Sequence, residues 1–248
     1  MKLVRFIGNQ KEYYGILKGD NISPFEGNET EFNKLNINEV RLLAPVIPSK
    51  IVLVGLNYRD HAAELGMAIP ENPIIFLKPS TAIIGPGEDI QYPQGTDRVD
   101  YEAELAVVIK DKIRGVSREE ALHHVLGYTC FNDVTARDIQ EKDMQWTRAK
   151  SFDTFAPIGP WIETELDSED LFIRSYVNGK IKQDSRTSDF IFGVPELIEF
   201  ISGVMTLFPG DIVSTGTPPN VGPINPGDKV VIEIEGIGKL ENFVKAEK

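Results

Sequence analysis

Tyr101-Glu102-Ala103-Glu104-Leu105-Ala106-Val107-Val108-Ile109 alternates at its start and runs wholly apolar at its end. Alternation has the two-residue period of a β-strand, and the closing run suits a strand buried on both faces. Residues two apart on a strand share a face, so Glu102 and Glu104 point one way while Ala103 and Leu105 point the other. Two carboxylates held close together raise each other's pKa, and a divalent cation removes that repulsion. Asp133 follows a second predicted strand, Gly127 to Phe131, and brings a third carboxylate to a strand's C-terminal edge. Three hard oxygens suit Mg²⁺, Mn²⁺ or Ca²⁺ better than zinc or copper. Taken alone, Glu-x-Glu on a strand is more often one solvated face, and Asp133 alone could cap a helix.

Outward from this stretch, strands outnumber helices. Ile51–Val54, Pro73–Leu77, Asp211–Val213 and Lys229–Ile234 read as strands, and Phe172 to Gln183 as a hairpin around Asn178-Gly179. Tyr58 to Leu65 reads as a short helix stopped by Gly66. Thr135 to Lys142 and Pro195 to Gly203 read as helices, and Ser117-x-x-Glu120 as a capping box opening another. Residues 1–48 form a small β-rich unit, with strands at Val4–Ile7 and Tyr14–Leu17 and a polar stretch around Gly27-Asn28-Glu29-Thr30. Pro45 and Pro48 punctuate its junction with a second unit, 49–248. Strands do not alternate with long helices, which argues against a doubly wound parallel sheet and for a mixed, β-rich α+β fold.

The chain has 248 residues and a formal net charge of −12. That balance argues against nucleic acid and anionic membrane surfaces as partners. A small anionic substrate would be repelled by the whole molecule, so its site must supply positive charge. Cys130 is the single cysteine, which excludes an internal disulfide and leaves too few ligands for a cysteine-based zinc site. Neither a signal peptide nor a stretch of transmembrane length is recognisable, so a soluble, cytoplasmic protein is expected.

Six segments in order resemble the fumarylacetoacetate hydrolase family. They are Gly55-Leu56-Asn57-Tyr58-Arg59-Asp60-His61-Ala62-Ala63-Glu64, Pro73-Ile74-Ile75-Phe76-Leu77-Lys78-Pro79-Ser80 and Asp100-Tyr101-Glu102-Ala103-Glu104-Leu105-Ala106. Gly127 through Asp138, Ala149-Lys150-Ser151-Phe152-Asp153-Thr154 and Ser214-Thr215-Gly216-Thr217-Pro218 follow. The resemblance implies a mixed β-sheet roll with flanking short helices, a homodimer, and Mg²⁺ or Mn²⁺ held by Glu102, Glu104 and Asp133. It places a His-Glu catalytic dyad on His61 and Glu64, the active-site lysine on Lys150, and a substrate loop on Gly216, Thr217 and Pro218. Arg59, Gln145 and Arg148 are further candidates for a substrate carboxylate, because Arg suits bidentate carboxylate binding. The family commonly continues its loop as Thr-Pro-x-Gly-Val; here Pro219-Asn220-Val221-Gly222 follow Pro218, so the glycine is expected to be displaced.

What the resemblance implies chemically is a metal-dependent enzyme of small 2-oxo dicarbonyl acids. It would hydrolyse a C–C bond of acylpyruvates, decarboxylate oxaloacetate, or both, through a metal-bound enolate. Isomerisation or decarboxylation of 2-hydroxyhepta-2,4-diene-1,7-dioate is the alternative within the family. A non-catalytic module with a structural cation is the alternative outside it.

Overall fold

The structure is a computed structural model that describes residues 1–25 and 35–247; the polar stretch around Gly27-Asn28-Glu29-Thr30 lies outside them. The strand Ala103–Ile109 is buried along its whole length, because each of its faces meets a separate core. Ala103, Leu105, Val107 and Ile109 pack with Ile173, Ile232 and Leu240. Ala106 and Val108 pack with Ile51, Leu53, Phe131 and Ile212 on the other face. Glu104 has the parity of Ala106 and Val108, so its carboxylate continues the second core toward the strand's beginning.

One correction applies at Glu102. The expected strand from Tyr101 is interrupted there, with Val99–Tyr101 on one side and Ala103–Ile109 on the other. The chain changes partners at this point. Val99–Tyr101 pairs with Thr135–Ala136 and Gly222–Ile224, whereas Ala103–Ile109 pairs with Val125–Asn132 and Ile212–Ser214. The Glu102 N–H, left outside either ladder, donates to Asn132 Oδ1 at 2.9 Å.

Ala103–Ile109 lies inside a 12-stranded sheet. Its main path runs Leu35–Asn36, Asn21–Pro24, Lys11–Lys18, Lys2–Gly8, Ala156–Glu163, Val125–Asn132, Ala103–Ile109, Ile212–Ser214, Ile51–Val54, Ile75–Lys78. Most pairs are antiparallel, but Ile212–Ser214 runs parallel to Ile51–Val54. A second, 5-stranded sheet contains the hairpin Phe172–Val177 and Lys180–Arg186, then Lys229–Ile234, Gly238–Ala246 and Asp89–Tyr92. Flanking helices are short; Val194–Val204 has 11 residues. Among the described residues no helix is long and apolar enough to cross a membrane. The architecture is the mixed-sheet α+β fold expected.

The described residues of the first unit share this sheet with the body: Lys2 and Leu3 pair with Glu163 and Ile162. Their partner strand, Ala156–Glu163, was not anticipated, because Pro157, Gly159 and Pro160 argue against a central strand. No α-helix opens at Ser117. A turn there leads into the 3-10 segment Ala121–His124, and the strand Val125–Asn132 begins at once, leaving no room for an α-helix. The helix expected from Thr135 begins instead at Arg137, since Thr135 and Ala136 are taken up by the pairing with Asp100 and Val99. The helix Arg59–Leu65 ends as expected, with Gly66 in the left-handed conformation at φ 63°.

Candidate active site

Strand ends deliver the three carboxylates. Glu102 sits at the partner change and Glu104 one residue into the next strand; Asp133 follows Val125–Asn132, its N–H donating to Glu102 O at 2.9 Å. One oxygen from each carboxylate lies within 4.8 Å of the others, and all three side chains are buried.

Cations surround them. Lys150 Nζ donates to Glu102 Oε2 at 2.9 Å and Asp133 Oδ2 at 2.5 Å. Lys78 Nζ stands 2.6 Å from Asp133 Oδ1 and donates to the carbonyls of Val134 and Phe155. Arg137 reaches Glu102 and also Asp100, and Arg98 holds Asp100 from the other side. Burial alone would raise the Glu102 carboxyl, but Lys150 and Arg137 outweigh it and hold it at about 2. Burial tends to lower Lys150 too, but Asp133 and Glu102 keep it above its ordinary value. Lys78 faces one of these carboxylates closely, and burial pushes it down to about 8.

Glu104 differs. It accepts from Ser214 Oγ at 2.5 Å and from the Gly216 N–H at 3.2 Å, with no cation in its hydrogen-bond shell. Burial, then the Asp133 and Glu102 charges, push its carboxyl well above the usual range. Asp133 Oδ1 is buried and faces Lys78 Nζ at 2.6 Å. A buried carboxylate with no cation in its hydrogen-bond shell, and two further buried carboxylates with an oxygen each within 4.8 Å of it, fit a hard divalent ion. Four carboxylates, Asp100, Glu102, Glu104 and Asp133, meet four cations, Lys78, Arg98, Arg137 and Lys150. A divalent ion there leaves the cluster with an excess of two positive charges, which suits an anionic ligand.

The cluster forms the inner end of a cavity of about 360 Å³, also lined by His61, Gln140, Trp146 and Thr217. His61 Nδ1 lies 2.7 Å from Glu64 Oε2, and the other Glu64 oxygen accepts the Asn220 N–H at 3.1 Å. The dyad is thus tied to the Gly216–Thr217 loop, which Gln183 anchors by donating to Thr217 Oγ1 at 2.9 Å.

Of the expected site residues, Glu102, Glu104, Asp133, Lys150, His61 and Thr217 line this cavity; Glu64 joins through His61 and Gly216 through Glu104. Arg59 and Gln145 are not brought here. Arg59 is exposed and lines a different cavity with Arg118 and Phe190, because the exposed face of its helix turns away. The Gln145 side chain turns back on Thr147. Arg148 pairs with Asp143 at the surface. Lys78, Arg137 and Gln140 were not anticipated. A lysine closing the apolar run Ile75–Lys78, with the parity of Phe76, was the available signal for the first.

The loop also corrects an expectation. In Thr217-Pro218-Pro219-Asn220-Val221 the glycine of Thr-Pro-x-Gly-Val is replaced by Asn220, not displaced. Asn220 takes φ 68°, the left-handed conformation that asparagine tolerates better than most residues, and its carbonyl accepts from Tyr101 Oη at 2.9 Å.

The model of the fumarylacetoacetate (FAA) hydrolase C-terminal family matches residues 50–245, and an Rv2993c-like N-terminal model matches residues 1–45. The chain belongs to the fumarylacetoacetate hydrolase family. It is 42% identical over 228 residues to mitochondrial oxaloacetate tautomerase FAHD2A of Bos taurus, covering 87% of this chain and 73% of that protein. Its fold matches 5-carboxymethyl-2-hydroxymuconate delta-isomerase from Mycobacterium smegmatis, with TM-score 0.93, 46% identity and full coverage of both chains. It also matches maleylpyruvate hydrolase from Sphingobium sp. SYK-6 in complex with manganese(II) and pyruvate, with TM-score 0.85, 30% identity and full coverage of both.

Proposed function

We propose that this chain is a Mg²⁺- or Mn²⁺-dependent enzyme of small 2-oxo acids, cleaving acylpyruvates, decarboxylating oxaloacetate, or both, and working as a cytoplasmic homodimer. The observation that carries the reading is the convergence of Glu102, Glu104 and Asp133 with His61 on one cavity. The manganese and pyruvate of the Sphingobium hydrolase structure support it.

Glu102, Glu104 and Asp133 would hold the ion, which supplies Lewis-acid polarisation of the 2-oxo group. Arg137 and Lys150, the Arg and Lys of the cavity lining, attract the substrate carboxylate to a protein that is acidic overall. His61, oriented by Glu64, takes a proton from water as the oxygen adds to the carbonyl remote from the carboxylate. The bond from that carbonyl carbon to the methylene then breaks, releasing a carboxylic acid and the enolate of pyruvate, which takes a proton at carbon. Lys150 Nζ stands close enough to the cluster to offset the charge that develops on the enolate oxygen.

A second reading is enolisation alone, as tautomerisation or isomerisation without addition of water; similarity to the Bos taurus tautomerase and the Mycobacterium smegmatis isomerase favours it. Assays of acetylpyruvate and oxaloacetate under Mg²⁺ or Mn²⁺ titration decide. Glu104→Ala is expected to abolish every activity. His61→Ala is expected to lose hydrolysis by about 10²-fold or more while decarboxylation and tautomerisation fall less; equal loss counts against a water-activating dyad. Metal that raises the melting temperature with no turnover of either substrate would leave only a structural cation.

A further inference from the structure

The cavity has two chemically different ends. Its inner end holds the three carboxylates with Lys150 and Arg137. Outward from Lys150 the wall is aromatic: Nζ lies 5.2 Å from the centre of the Phe76 ring. The Phe76 ring in turn meets Trp146 edge-on, centroids 5.1 Å apart. The Trp146 ring lies against Gly55, where a Cβ would stand 3.2 Å from Cη2 and 3.4 Å from Ile74 Cβ. Glycine at 55 therefore lets the indole settle against the floor of the cavity. Leu56, Leu65, Met67 and Ile74 complete this outer wall, and Leu65, Met67 and Ile74 remain 53%, 52% and 43% exposed.

Charge is distributed as unevenly. Both lining cations, Arg137 and Lys150, are engaged by Glu102 or Asp133 at the inner end. Away from that end the lining offers an acid, exposed Glu141, and no lysine or arginine. A terminal carboxylate at this half-exposed wall would give up part of its hydration and gain no lysine or arginine, which costs affinity. An alkyl or aryl group there gains apolar contact instead.

We infer that, of the two substrate kinds proposed above, the site is built for the acylpyruvate rather than oxaloacetate: the far end is uncharged, an alkyl or aryl acyl tail, with Trp146, Phe76, Ile74 and Met67 as the tail's subsite. This rests on the reading of the inner end as a 2-oxo-acid site. It separates the chain from relatives named for acting on muconate or maleylpyruvate, whose substrates carry a carboxylate at the far end.

The test uses stable analogues with the Mn²⁺-loaded protein. Oxamate probes the head; N-ethyl, N-butyl and N-hexyl oxamate extend it by an apolar tail, and an N-(carboxypentyl) oxamate ends that tail in a charge. Binding is read by calorimetry, and by Trp146 fluorescence referenced to Trp146→Phe. Affinity is expected to rise about four-fold for each methylene that reaches the wall, and the carboxylate-ended analogue to bind at least about ten-fold more weakly than the alkyl one of equal length. Trp146→Ala should remove most of the gain from ethyl to hexyl. Met67→Lys, at an exposed position, should weaken the hexyl compound and strengthen the carboxylate-ended one. A flat series with tight oxamate, or tighter binding of the carboxylate-ended analogue, overturns the tail subsite while leaving the head assignment intact. Failure of oxamate itself to bind overturns both.

Discussion

Glu104 carries most of the chemical meaning of the site. Glu102 and Asp133 are matched by Lys150, Lys78 and Arg137, but Glu104 is held by Ser214 and the Gly216 N–H alone. A partner that orients a metal-binding carboxylate commonly matters by about 10–100-fold in metal affinity or activity. Ser214→Ala is therefore expected to weaken Mn²⁺ binding by roughly that factor, read as a shift in the metal concentration that raises the melting temperature. Unchanged metal affinity would mean that Glu104 does not reach the ion. Asn220 was legible only as a departure from Thr-Pro-x-Gly-Val. Its φ of 68° shows the glycine's place occupied by a residue able to adopt the same backbone conformation.

Elements bring these residues together through a few joints. Ile51–Val54 and Ile212–Ser214 run in parallel, and Asp211 locks their beginnings. It accepts from the Ser49 N–H at 2.9 Å, the Phe208 N–H at 2.8 Å and Lys50 Nζ at 2.5 Å. Burial would raise its carboxyl, but Lys50, the Phe208 N–H and Ser49 together hold it below the ordinary value of 3.8. A carboxylate lowered on folding adds stability that is full above its unfolded pKa and fades as pH falls through its folded pKa. Asp211→Asn is expected to cost about 1–3 kcal/mol near neutrality, with the gap to the parent chain closing below about pH 4. Melting curves across that range measure it; a gap that stays constant to low pH would mean that the carboxylate charge contributes nothing. The same register sets the site, since Ser214 lies opposite both Ala106 and Leu53 and so reaches Glu104.

At the scale of the whole molecule, one sheet joins the small first unit to the body. Lys2 and Leu3 pair with Glu163 and Ile162, and the N-terminal amine lies 2.5 Å from Glu163 Oε1. Removal of residues 1–45 would bare the edge of Ala156–Glu163 and the apolar face it covers, a template for association. The truncated chain is expected to aggregate on size-exclusion chromatography and to melt several degrees lower. A monodisperse fragment of unchanged stability would establish the second unit as an independent domain. The net charge of −12 sits outside the site, where four cations already balance four carboxylates, so a bound divalent ion can make an acidic protein locally attractive to an anion.

Period-two alternation from Tyr101 to Ile109 was enough to read the buried strand, which the structure confines to Ala103–Ile109, and the β-rich fold class, because these depend on neighbours along the chain. The short helix ending at Gly66 and the hairpin at Asn178-Gly179 were legible for the same reason. The roles of His61, Glu64 and Lys150 were reached through the family's ordered segments and not through local chemistry. Lys78 left only the trace of a lysine closing an apolar run, and Arg137 none, because an ion pair between residues 55 or 35 positions apart, such as Lys78 with Asp133 or Arg137 with Glu102, depends on strand register and burial. Tertiary packing alone decided that Arg59 faces away, that the strand breaks at Glu102, and that the wall beyond Lys150 is aromatic. Each of these follows from which elements lie side by side, and pairings between distant segments leave no periodic trace in the chain that makes them.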